Sequence, residues 1–79
     1  MSGDKEETYD ALLRLLAEMG WQAYAVRLDK AVAGAVTGTE LHMGLRGVLL
    51  DLLKEQACVG ECRRLAEKLL GSIDSALRK

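Results

Sequence analysis

The sequence contains no proline and no phenylalanine, a single histidine and two cysteines. Without proline, no residue carries a ring that blocks helix continuation. With only three aromatic residues, Trp21, Tyr9 and Tyr24, the chain is poor in one of the residue classes that favour strands. Two cysteines cannot staple a secreted disulfide scaffold. One histidine, with no serine or second acid at triad-like spacing, leaves poor options for general-base catalysis. Neither sign of charge dominates: 11 basic residues face 12 acidic ones, for a net charge of −1. Phosphate neutralisation needs a clear positive excess, so this balance argues against a general nucleic-acid binder. No apolar run approaches the roughly 20 residues of a membrane span. The opening Met1-Ser-Gly-Asp-Lys-Glu-Glu7 is polar and acidic, without the apolar core of a signal peptide. These absences predict a cytoplasmic protein that is not an enzyme, needs no cofactor and does not enter membranes.

What is present is leucine at helical spacing, within a composition that is 49% apolar. The chain is organised around the stretch from Thr37 to Lys54. Thr37-Gly-Thr-Glu40 is a helix-start signal, in which the Thr hydroxyl and the Glu carboxylate can each satisfy a free backbone N–H. Leu41, Leu45, Val48, Leu49, Leu52 and Leu53 then return to one face, predicting a helix over about 38–56. Ahead of it, Tyr9, Leu12, Leu13, Leu16 and Met19 predict a first helix over about 5–19. Acids lie near its start, where the helix dipole favours them, and Gly20 follows as a left-handed cap. Trp21, Tyr24, Ala25, Leu28, Ala31, Val32 and Ala35 predict a second helix over about 21–35. Beyond the breaker Val59-Gly60, the residues Cys62, Leu65, Ala66, Leu69, Ile73, Ala76 and Leu77 predict a fourth over about 60–78. Short connections favour an antiparallel arrangement. The expectation is an all-α fold, a compact bundle of about four short antiparallel helices forming one domain over 1–79. A chain of this size buries only about 60% of its unfolded surface, so its stability margin is thin. Residues 1–20 are mainly acidic and 61–79 mainly basic, which suggests attraction between the first and last helices.

Several residues stand out from this frame. Gly44 and Gly47 lie inside the third helix, where each costs about 1 kcal/mol relative to Ala. Two such losses suggest close approach of another backbone, most simply the alanine face of the second helix, so that Gly→Ala at either site destabilises. Cys58 and Cys62 are either small apolar core residues or a weak metal or redox candidate. They share one face if the fourth helix starts early, and flank a turn if Gly60 breaks it. His42 points off the leucine stripe, near Arg46. Trp21 and Tyr24 either close the end of the core or form a hot spot for a partner, a role in which such side chains are enriched. Arg63, Arg64 and Lys68 form the densest basic cluster, interleaved with Glu61 and Glu67, and Arg78 and Lys79 extend it. Leu15, Val26, Leu50 and Leu70 lie beside the main stripes, more apolar surface than a small monomer readily covers.

The segment Thr37-Gly-Thr-Glu-Leu-x-Met-Gly-Leu-Arg46, followed by Leu49 and Leu52-Leu53, resembles a pattern in small bacterial all-helical proteins. The preceding helix with Trp21 and the closing Ile73-Asp74-x-Ala76-Leu77 fit the same pattern. The resemblance implies a bacterial cytoplasmic helical protein and carries over no functional residue.

Surplus apolar surface without a catalytic constellation predicts a protein-interaction module: an adaptor, inhibitor or immunity-type partner, self-associating as a homodimer. Its partner-binding candidates are Trp21, Tyr24, His42, Gly44, Arg46, Gly47 and Leu50. The alternative is a nucleic-acid-associated regulator using the basic face of the last helix.

Overall fold

The computed structural model describes residues 3–77, with side chains from residue 7 onward. Four helices follow one another: α1 (Gly3–Glu18), α2 (Gln22–Gly34), α3 (Gly38–Leu53) and α4 (Gly60–Leu77). They form an all-α antiparallel bundle. The direction of each hairpin can be read from its cross-helix contacts. Moving forward along α3 from Gly44 to Asp51 and on to Glu55, the partners step backward along α2, from Ala31 to Arg27 to Tyr24. Between α3 and α4 the contacts likewise run in opposite directions, from Arg46–Asp74 to Cys58–Cys62 at the connection. Each helix packs on two neighbours, α1 on α2 and α4, α3 on α2 and α4, so the four close into a ring.

Local chemistry sets most of the boundaries. α1 ends in a Schellman motif: Trp21 N–H donates to the Leu16 carbonyl at 2.8 Å and Gly20 N–H to the Ala17 carbonyl at 3.2 Å. Gly20 sits at φ +80°, a conformation that strains any residue with a Cβ. At the start of α3, the Thr37 hydroxyl accepts from Glu40 N–H at 3.2 Å. The Glu40 carboxylate in turn accepts from Val36 N–H at 3.1 Å, one residue earlier than the usual reciprocal partner.

The end of α3 differs from expectation. The helix stops at Leu53, not near residue 56, and its last turn tightens as Lys54 and Glu55 N–H donate to the Asp51 and Leu52 carbonyls. The chain then turns so that Cys58 enters the core, fully buried. Gly60, at φ +61°, redirects it into α4. α1 begins earlier than the expected residue 5, at Gly3.

The core is unequally supplied. α3 contributes Leu45, Val48, Leu49 and Leu52; α4 contributes Cys62, Ala66, Leu69 and Ile73. α1 adds Leu12 and Leu16, whereas α2 adds only Leu28. Burying a large aliphatic side chain contributes roughly 1.5–3 kcal/mol, so α2 has the weakest apolar attachment. Polar ties supplement it: Tyr9 OH donates to Asp29 at 3.0 Å, and Arg27 pairs with Asp51 at 2.7 Å. The expected attraction between α1 and α4 rests in part on Asp4, Lys5, Glu6, Arg78 and Lys79, whose side chains lie outside those described. Among the described residues, inter-helix pairs join α2 to α3 (Arg27–Asp51) and α3 to α4 (Arg46–Asp74). No described helix is long and apolar enough to cross a membrane.

Candidate functional site

On α3, the buried residues point one way and leave a ridge on the opposite side. Positions 43, 47, 50 and 54 follow one another at steps of three or four and so share a face. Met43 is 62% exposed. Leu50 is half-buried and lies outside the core and its packed rim. Between them Gly47 is exposed, and a Cβ placed on it would meet nothing within 4 Å. Glu40 and Lys54, both exposed, stand at the two ends. Two ion pairs border the ridge, Arg46–Asp74 at 2.8 Å toward α4 and Arg27–Asp51 at 2.7 Å toward α2. They draw the flanking charges sideways onto neighbouring helices, leaving the apolar strip uncovered. The Arg27 guanidinium also holds the Asp51 carboxyl below the ordinary carboxylate range.

The residues singled out from sequence separate into several places. Gly47 and Leu50 lie together on the ridge, where Met43 joins them. Gly44 does not face the same way as Gly47. It turns toward α2, where an added Cβ would stand 3.2 Å from the Ala31 Cβ. The expectation that both glycines admit the second helix therefore holds for Gly44 alone. Arg46 is bonded across to Asp74, and His42, one turn earlier, is half-buried on that flank.

Trp21 and Tyr24 occupy the end of the bundle, half-buried against the core, with ring centroids 5.9 Å apart. The Arg27 guanidinium lies 5.6 Å from the Tyr24 ring centroid. Tyr24 OH donates to the Glu55 carboxylate, which raises the phenol's pKa. Tyr9 rises in the same direction, mainly because burial disfavours its phenolate and secondarily because it donates to Asp29. Of the four surplus apolar residues, Leu15 and Leu70 pack against the core, while Val26 and Leu50 do not.

The basic cluster is internally compensated. Arg64 donates to both Glu61 carboxylate oxygens, at 2.8 and 3.0 Å, and Arg63 lies 3.5 Å from Glu67. Lys68 is exposed on the same helix, and Arg78 and Lys79 lie outside the described residues.

Cys58 and Cys62 are both free and buried, with sulfurs 3.4 Å apart. A regular helix would not make these sulfurs converge; the left-handed turn at Gly60 does so. Burial, reinforced by the neighbouring Cys58, pushes the Cys62 thiol up to about 12, so it is a poor thiolate. Among the described residues no group of three or more His, Cys, Asp or Glu side chains is placed to hold a metal ion. No buried side-chain nitrogen or oxygen among them lacks a partner, so no orphaned polar group marks a ligand site inside the bundle.

Sequence reasoning passed over Met43 because it lies off the leucine stripe. The available signal was its spacing from Gly47 and Leu50 on the far side of the wheel. Comparison with protein-family models, curated proteins and solved structures returned no match.

Proposed function

We propose that the chain is a small helical protein-interaction module, an adaptor, inhibitor or immunity-type partner with no catalytic part, whose contact surface is the outer ridge of α3. The observation that carries this reading is the pairing of Met43, largely exposed, with Leu50, outside the core, across the open Gly47. Met43 is exposed and the half-buried Leu50 lies outside the core and its packed rim, and an apolar strip of this kind on one helix face is suited to receive another helix. Val36, which is 88% exposed and bonded through its N–H to Glu40, extends apolar surface beyond the head of the ridge. Other exposed apolar side chains are Met19 after α1, Val26 and Val32 on α2, and Val59 in the last connection. The same proposal assigns the chain to the cytoplasm, since two unbridged thiols suit a reducing compartment. The compensated charges of Arg63 and Arg64 give less support to nucleic-acid binding.

A photo-crosslinking side chain placed at Met43, in the cell that makes the protein, tests the reading. Discrete crosslinked products are expected there and not at the control position Val26. Absence of any product at Met43 would overturn it.

A further inference from the structure

Resting on the reading of α3 as a contact ridge, we propose that the occupant of this ridge is a second copy of the chain, packed antiparallel about a two-fold axis through Gly47. The argument comes from the order of residues along the exposed face: Glu40, Met43, Gly47, Leu50, Lys54. Glu40 and Lys54 stand seven residues on either side of Gly47, about 10 Å along the helix axis in each direction at 1.5 Å per residue. A two-fold axis through Gly47 reverses the second helix. Glu40 of one protomer then lies opposite the partner's Lys54, and symmetry repeats the contact at the other end. Met43, four residues before the axis, seats beside the partner's Leu50, three residues after it. At the centre Gly47 meets its own copy, with no Cβ on either side to hold the backbones apart.

Parallel pairing fails on the same face, because it places Glu40 on Glu40 and Lys54 on Lys54. Neither residue is engaged in an ion pair among the described residues. The Glu40 carboxylate caps α3 through one oxygen, and a carboxylate has acceptor capacity to spare. The ridge is therefore self-complementary in charge and in the order of its apolar residues, which an arbitrary foreign partner would not require. A contact built on one ridge per protomer falls at the small end of specific interfaces, below about 1,200 Å² in total, the class that holds weak and transient encounters.

Sedimentation equilibrium from about 10 to 500 µM tests the proposal on the whole chain. The unaltered protein is expected to pass from monomer to dimer across this range. Lys54→Glu and Glu40→Lys each set like charges opposite one another twice, and each is expected to weaken dimerisation by about tenfold or more. An equimolar mixture of the two variants restores both opposite-charge contacts and is expected to recover the dimer. Glu40→Lys also loses a cap contact. Met43→Ser therefore serves as a second probe, because a largely exposed side chain can be replaced without emptying the core. It is expected to abolish the dimer at unchanged melting temperature. A strict monomer up to 500 µM overturns the proposal, as does a dimer indifferent to both Lys54→Glu and Met43→Ser, or a mixture that fails to recover. If the chain is monomeric while the crosslinker at Met43 captures a different protein, the second copy is excluded and the interaction reading stands. Without any crosslink at Met43, both fall.

Discussion

Gly44 and Gly47 are three residues apart on one helix and face different surroundings. Replacing Gly47 with Ala adds a methyl to open solvent and removes the entropic cost of glycine. Gly47→Ala is expected to gain up to about 1 kcal/mol, measured by thermal melts at concentrations where the chain is monomeric. At Gly44 the same methyl would sit 3.2 Å from the Ala31 Cβ, and α2 must shift to receive it. Overpacking of this kind costs about 1–3 kcal/mol, which offsets the propensity gain. Gly44→Ala is therefore expected to melt at or below the parent and clearly below Gly47→Ala; equal stabilisation of both would refute the close-approach account. The sequence showed that both glycines are costly but not which one has a neighbour, because that depends on where α2 crosses. Cys62 carries a second prediction. Its thiol, ordinarily near 9, is held up to about 12, so the folded state keeps a proton that the unfolded chain releases. This contribution to stability is fully present below about pH 9 and is lost progressively toward pH 12. Tyr9 and Tyr24, also raised, act in the same direction. Melting temperatures from pH 8 to 11 should fall, and Cys62→Ala, less stable at pH 8, should show the shallower decline.

Among the elements, α2 is the one whose attachment is thinnest. Leu28 is its only fully buried large side chain, and the contacts of Arg27, Tyr24 and Asp29 lie at the exposed periphery, where such pairs are worth about 0–1 kcal/mol each. Leu28→Ala is expected to cost about 2–5 kcal/mol, whereas Arg27→Ala should cost less than about 1 kcal/mol, both measured by denaturant unfolding. Native-state hydrogen exchange should find the α2 amides opening before those of α3 and α4. Uniform protection across all four helices would contradict this hierarchy. The start of α3 and the first turn were legible because their signals are local: Thr37 with Glu40 caps α3, and Gly20 is followed by an N–H that reaches back to Leu16. The end of α3 was not legible. Its apolar periodicity continues to Leu53 and the following residues are acceptable helix formers, but the chain leaves the helix to bury Cys58 against α4. That requirement comes from an element not yet made at that point in the chain. The convergence of the two sulfurs was hidden for a related reason, since it depends on the φ of Gly60. The contact ridge was half visible: Gly47 and Leu50 were marked, but Met43, Glu40 and Lys54 gain meaning only once the buried face of α3 defines the opposite one.

At the scale of the molecule, the ring of helices has a consequence for how fast it forms. Three of its four seams, α1 with α2, α2 with α3 and α3 with α4, join elements consecutive along the chain, and each can close as a hairpin soon after its turn is made. Only the seam between α1 and α4 must bring distant segments together, and loop-closure entropy grows only logarithmically with the length spanned. Low sequence separation between contacting residues favours folding in microseconds to milliseconds. The absence of proline also removes the isomerisation steps that slow many refolding reactions to tens of seconds. Stopped-flow or temperature-jump refolding should show a single fast phase with no minutes-long tail. Within that phase, the seam that closes the ring is expected to be the last to form. Leu12→Ala and Leu16→Ala in α1 should then mainly accelerate unfolding, while Leu49→Ala and Leu52→Ala in α3 should slow folding itself. The opposite partition would place ring closure in the nucleus.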